Sequence, residues 1–138
     1  MTGTTVADHR LDFASPPDDV TCVHDFLAGV WGAEPSVGAE DRMAFELAVV
    51  ELASNVVEHA GGGSRVACSL SLAVTGHDLE AELTDDGRPA SVDPSTAALP
   101  DASAASGRGL ALVGMVVDEL HYERDGDRNR WTLRRGRV

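Results

Sequence analysis

The chain contains no lysine; all eleven of its basic side chains are arginine. Aromatic residues make up only 4% of its 138 positions, so a core must be built mainly from Val, Leu and Ala. The two cysteines, Cys22 and Cys68, lack metal-ligand or redox spacing. That excludes a disulfide framework and leaves two reduced, buried thiols of a cytosolic protein as the expectation. Apolar runs such as the one around residues 44–53 stop well short of a membrane span. The polar start, MTGTTVADHR, lacks the apolar stretch of a secretion signal. A cytoplasmic chain with no membrane attachment is therefore expected.

The formal net charge is −12, which argues against nucleic acid as a direct ligand, because that binding relies on neutralising phosphates. Charge is unevenly spread. Six arginines (124, 128, 130, 134, 135 and 137) fall in the last fifteen residues with only Asp125 and Asp127 beside them, so this stretch carries +4 and the remainder −16. A solvated terminal strand accounts for that cluster more simply than a docking surface for an acidic partner.

With 43% apolar residues, the length suits one domain with a real core. Residues 1–10 are read as a flexible N-terminus and 11–138 as the domain. Leu11–Ala14 suggests a short strand, and Ser15-Pro16-Pro17-Asp18-Asp19 leads into a helix over 19–31, with Val20, Val23, Phe26, Leu27 and Val30 at helical spacing. A break over Gly32–Gly38 precedes a long helix from Ala39 to Glu58, with Phe45, Ala48, Leu52 and Val56 facing inward, ended by Gly61-Gly62-Gly63. Arg65–Val74 and Leu79–Leu83 alternate as a hairpin. Residues 88–106 are rich in Pro, Ser and Ala, a composition suited to a lid or binding loop. Leu110–Val117 reads as a short helix, and Glu119–Glu123 and Arg130–Arg135 as strands about the Asp125-Gly126-Asp127 turn. The sum is an α+β, two-layer α/β sandwich, with helices on one face of a mixed, mostly antiparallel sheet.

Three segments carry chemistry. In ELASNVVEHA, Glu51 and Asn55 lie four apart and share a helical face, offering a carboxylate for proton transfer and an amide oxygen for a hard cation. In LTDDGRPA, an apolar run ends in Asp85-Asp86-Gly87, an acidic turn able to accept a hydrogen bond from a flat base while Gly87 permits close approach. In SGRGLALV, Gly107 and Gly109 stand at a helix start, where backbone N–H groups can meet phosphate oxygens. Glu51, Asn55, Glu58 and His59 on one helix raise a metal cluster as an alternative, but no further carboxylate-bearing helices accompany them. His59 is better placed as a helix C-terminal residue.

In that order and spacing, these segments resemble the ATP-binding domain of the GHKL superfamily of gyrase, chaperone, histidine-kinase and MutL-type ATPases. Within it, the likeness points to the bacterial anti-sigma factor serine/threonine kinases. The E-x-x-x-N-x-x-x-H-A motif of that branch falls on Glu51, Asn55, His59 and Ala60, its D-x-G turn on Asp85 and Gly87, and its G-x-G-L element on Gly107, Gly109 and Leu110. The resemblance implies the Bergerat ATP-binding fold, with residues 88–106 as an ATP lid. It also implies ATP and Mg²⁺ as cofactors. Glu51 would be the general base, Asn55 the Mg²⁺ ligand, and Asp85 the acceptor for the adenine amine, with Asp86 the competing choice. Gly107, Arg108, Gly109 and Leu110 would hold the phosphates. The implied partners are a sigma factor and a phosphorylated anti-anti-sigma protein, with a homodimer among the expectations. Two positions depart from the pattern: Pro89 replaces a second glycine, and Ala104, Ala105 and Ser106 stand where an arginine commonly precedes the glycine pair. A sequestering module that senses nucleotide without transferring phosphate is the rival implied by those departures.

Overall fold

A computed structural model describes residues 7–61, 64–90 and 105–138. Strand β1 (Ala7–Ser15) leads through a proline turn to helices α1 (Val20–Ala33) and α2 (Ala39–His59). A hairpin follows, β2 (Val66–Val74) and β3 (Asp78–Asp85), then α3 (Ala105–Val116) and a second hairpin, β4 (Glu119–Asp125) and β5 (Arg128–Gly136). The sheet order is β1-β2-β3-β5-β4, and every pairing among the described residues is antiparallel. The α+β fold with a mostly antiparallel sheet expected from sequence holds, and the pairing is antiparallel throughout the described residues. Two hairpins and a β1 that returns beside β2 leave no pair of neighbours running the same way.

Of the stretch 1–10 read from sequence as a flexible N-terminus, residues 1–6 lie outside the described residues, and the strand begins within the rest. Residues 7–10 are strand, paired with Val74, Ala73, Leu72 and Ser71. Their charged side chains hid this. Asp8, Arg10 and Asp12 occupy the exposed positions, whereas Phe13 is buried and Leu11 packs against the core. Alternation of this kind needs the partner strand to be recognised as a half-buried edge.

Helix α1 starts where Asp19 caps it, accepting from the Thr21 N–H at 2.8 Å. It buries Val23, Leu27, Val30 and Trp31, and the Trp31 indole donates to Glu46 of α2 at 3.0 Å. The inward face of α2 is Phe45, Ala48, Val49, Leu52, Ala53 and Val56. Opposite lie Val66, Cys68, Leu70, Leu72 and Val74 of β2, Leu79, Ala81 and Leu83 of β3, and Trp131 and Leu133 of β5. Small aliphatics thus build a core in which Trp131 and Phe45 are the largest fully buried side chains. Gly126 closes the second hairpin with φ +61°, and no other residue among those described adopts positive φ, matching the turn class with glycine at its first central position. Cys68 is buried as expected; Cys22 is only half-buried, and both are free thiols.

Of the six C-terminal arginines, Arg128 is exposed, and the other five have hydrogen-bond or ion-pair partners. Arg130 lies within ion-pair distance of Glu82, Glu123 and Asp125, and Arg134 pairs with Asp78 and Glu119. Arg137 donates to the carbonyls of Thr75 and Ser36. Arg135 reaches deepest: its Nε donates to buried Asp41 at 3.1 Å and its Nη1 to the Val116 carbonyl at 2.7 Å. One side chain on β5 thereby joins the start of α2 to the end of α3.

Asp41 is only 3% exposed, so deleting its guanidinium partner strands a buried charge. Arg135→Ala is expected to lower unfolding free energy by about 3 kcal/mol, read from the urea midpoint at constant m-value. A loss below about 0.5 kcal/mol, the range of an ordinary surface substitution, would show that Asp41 does not depend on this pair.

Candidate functional site

The site grows from one rung of the sheet. Pairing aligns Phe13, Cys68, Asp85, Asn129 and Arg124 across the five strands. Asp85 ends β3 at an inward position and is 0% exposed. Its Oδ1 accepts from the Gly87 N–H at 2.9 Å and from Asn129 Nδ2 at 2.8 Å. Its Oδ2 is buried with no hydrogen-bond partner among the described residues. Burial pushes the Asp85 carboxyl above the usual carboxylate range, against the lowering effect of the Asn129 and Gly87 hydrogen bonds. Beside it, burial followed by the charges of Asp85 and Asp86 pushes the Cys68 thiol up to about 12, which makes it inert.

The two acids differ in exposure. Asp86 faces solvent, and its carboxylate accepts from the Ala67 N–H at 2.8 Å. Asp85 alone points inward.

Gly87 has a different reason for being glycine than sequence suggests. A Cβ there would lie 2.6 Å from both the Ala60 Cβ and the Ala60 carbonyl oxygen. The turn folds onto the C-terminal end of α2, where the Arg88 N–H donates to the Ala60 carbonyl at 2.8 Å and the Arg88 guanidinium to the His59 carbonyl at 2.8 Å. Helix contact, rather than space for a ligand, demands the missing side chain.

A cavity of about 400 Å³ opens between this turn, α2, α3 and β5, within the range of small-molecule sites. Of the predicted residues it brings together Asn55, Asp85 and Leu110, with Pro89 at its border. Val56, Ala60 and Trp131 supply apolar wall for a flat ring. Glu51 is half-buried on α2, one turn from Asn55, and does not line the cavity. Helix α3 starts five residues earlier than read from sequence, so Gly107 falls in its first turn, where N–H groups lack intrahelical acceptors, and Gly109 one turn further in. The side chain of Arg108 and the lid residues 91–104 lie outside the described residues. Among the described residues, no three His, Cys, Asp or Glu side chains converge on a metal position, and the half-exposed His59 sits 3.6 Å from Glu58.

Three functional residues escaped the sequence reading. Asn129 is buried, and its amide meets Asp85, Arg88 and Tyr122; Arg124 donates to the Gly87 carbonyl at 2.7 Å. A signal existed. Asn129, Trp131 and Leu133 share one parity on β5 and are all buried, so a strand begun at residue 128 instead of 130 marks Asn129 as an inward polar group.

Because backbone atoms of α2 crowd Gly87, Gly87→Ala should shift the turn and cost about 1–3 kcal/mol. Denaturant unfolding checks this; an unchanged midpoint would refute the crowding.

No curated protein matches the chain. Among solved structures, it is similar to the histidine kinase domain of the blue-light activated histidine kinase from Erythrobacter litoralis EL346, at 25% identity and a TM-score of 0.52. That likeness covers 69% of this chain and 44% of the other, so the chain spans less than half of the matched structure. The pattern of the histidine kinase-like ATPase domain matches residues 13–135. With that match running through all five strands and all three helices, the chain belongs to the histidine kinase-like ATPase domain family.

Proposed function

We propose that the chain binds ATP with Mg²⁺ in the Asp85 cavity and transfers the terminal phosphate to a serine or threonine hydroxyl of a partner protein. In this reading it is an anti-sigma factor kinase of the cytoplasm: it sequesters a sigma factor and phosphorylates an anti-anti-sigma protein. The observation that carries the nucleotide reading is Asp85 Oδ2, a buried oxygen with no partner among the described residues beside a cavity walled by Trp131, Val56 and Leu110. An unsatisfied buried acceptor costs free energy in the empty protein, which a ligand amine would recover. Adenine carries such an amine; guanine presents a carbonyl at that position.

The remaining residues fit the phosphate end. Asn55 offers one neutral oxygen, suited to a Mg²⁺ ion that takes its other ligands from phosphates and water. Bound there, Mg²⁺ would neutralise charge building on the phosphates. Gly107 stands in the first turn of α3, where N–H groups are available to phosphate oxygens, with Arg108, Gly109 and Leu110 following. Glu51 lies a turn from Asn55 and outside the cavity wall, and its proposed role is to take the proton of a partner hydroxyl. The sequestering module without phosphate transfer draws on the same observation about Glu51, and the tests below separate the two.

Calorimetry should show ATP and ADP binding well and GTP poorly, with Asp85→Asn weakening ATP by about 1–3 kcal/mol. Equal affinity for ATP and GTP would remove the adenine reading.

With radiolabelled ATP and a candidate antagonist protein, Glu51→Ala should abolish transfer while leaving ATP affinity nearly intact, because a general base acts chiefly in the transition state. Asn55→Ala should instead lose the Mg²⁺-dependent part of nucleotide binding. Transfer at parental rates in both variants would place the chemistry elsewhere; nucleotide binding without transfer in the parent would favour the sequestering module.

A further inference from the structure

The Asn129 amide has only one orientation open to it. The Ala90 N–H donates to the Tyr122 hydroxyl at 2.9 Å, so the single hydroxyl proton goes to Asn129 Oδ1. Arg124, which has no acceptor to offer, donates to the same Oδ1 at 3.1 Å and to the Gly87 carbonyl at 2.7 Å. With Oδ1 taken by two donors, Nδ2 must face the other way. It donates to the Arg88 carbonyl at 2.7 Å and to Asp85 Oδ1 at 2.8 Å. Through Asn129 the relay leads to Asp85 and to the Arg88 carbonyl, and the Gly87 N–H adds a second donor to the same carboxylate oxygen. Asp85 Oδ1 is saturated, and the free lone pairs are on Oδ2.

We propose that Tyr122 and Arg124 are specificity-determining positioning residues: acting through Asn129, they hold Asp85 as a pure acceptor that selects a purine with an exocyclic amine over one with a carbonyl. The inference rests on the nucleotide reading above. Neither residue lines the cavity; they reach it through Asn129 and through the Ala90 and Gly87 backbone of the turn.

The relay matters because Asp85 is buried. A carboxyl out of water tends toward its neutral form, and a proton on Oδ2 would turn the reader from acceptor into donor, welcoming a carbonyl. Two donors on Oδ1 oppose this by stabilising the carboxylate. Without the Tyr122 hydroxyl and the Arg124 guanidinium, Asn129 Oδ1 loses both its donors, and only the two Nδ2 bonds hold the amide against Asp85 and the Arg88 carbonyl. A looser amide is a weaker donor to Asp85, the carboxyl takes up a proton more readily, and the charge that discriminates between bases is diluted.

The test compares ATP with inosine triphosphate, which keeps the sugar and phosphates but carries a carbonyl in place of the amine. Dissociation constants are measured by calorimetry for the parent, Tyr122→Phe and Tyr122→Phe/Arg124→Met. Phenylalanine keeps the packing of ring 122 on Trp131, whose centroids lie 4.6 Å apart, and near-ultraviolet circular dichroism verifies the fold. The parent should prefer ATP by about a hundredfold, and Tyr122→Phe should shrink that preference about three- to tenfold, with a further fall in the double variant. Parallel weakening of both nucleotides at an unchanged ratio overturns the proposal, because a merely structural brace loosens the site for either base. Should the double variant not fold, Tyr122→Phe decides alone. A parent that binds both nucleotides equally overturns the adenine reading itself, and the relay with it; a selective parent with unchanged variant ratios overturns only the relay.

Discussion

The arrangement turns on a carboxylate that the sheet register forces indoors. Asp85 shares a rung with Cys68 and Asn129, at a parity otherwise occupied by Leu79, Ala81 and Leu83. Removing a charge from water is expensive unless donors replace the water. Here the donors come from the Gly87 backbone and from a neighbouring strand. Supplying the first requires a tight turn after β3, and that turn has room only because residue 87 has no side chain to strike Ala60. Supplying the second requires β5 between β3 and β4, the crossover that α3 makes possible. Sheet order, turn and helix end therefore answer to a single side chain, and satisfying half of it leaves a buried oxygen with no partner among the described residues, on a residue that lines the cavity.

How much of this was legible in the chain depended on how local the cause was. The long helix announces itself through Phe45, Ala48, Leu52 and Val56, and its observed bounds differ by one residue from those read by periodicity. Asp85 was legible because an apolar run stops at it. What remained hidden was set by partners distant in sequence. Residues 7–10 are strand because β2 lies alongside, not because their own composition favours one. Gly87 was recognised for its position but given the wrong reason, since the clash that excludes a side chain comes from a helix 27 residues away. Asn129 was passed over because its flanking arginines made the segment look like solvated tail.

Membership of the ATPase domain family and the form of the cavity agree on a nucleotide, and they say less about what is done with it. Asn55 and Leu110 reach the cavity wall and Glu51 does not. In the proposed kinase that separation has to be bridged by the partner's hydroxyl, which must come within hydrogen-bond reach of Glu51. The same separation is equally the geometry of a domain that binds without acting. The proposed kinase therefore stands on Glu51, whereas the nucleotide stands on Asp85.

The arginines of β5 stitch the sheet to the helices in a way lysine could not. With no lysine in the chain, the cations facing Asp41, Asp78, Glu119 and Glu82 are guanidinium groups, whose planar fork can engage two acceptors at once. Arg134 spans Asp78 on one neighbouring strand and Glu119 on the other, and Arg135 spans the start of α2 and the end of α3. The last strand therefore ties together elements that are far apart along the chain.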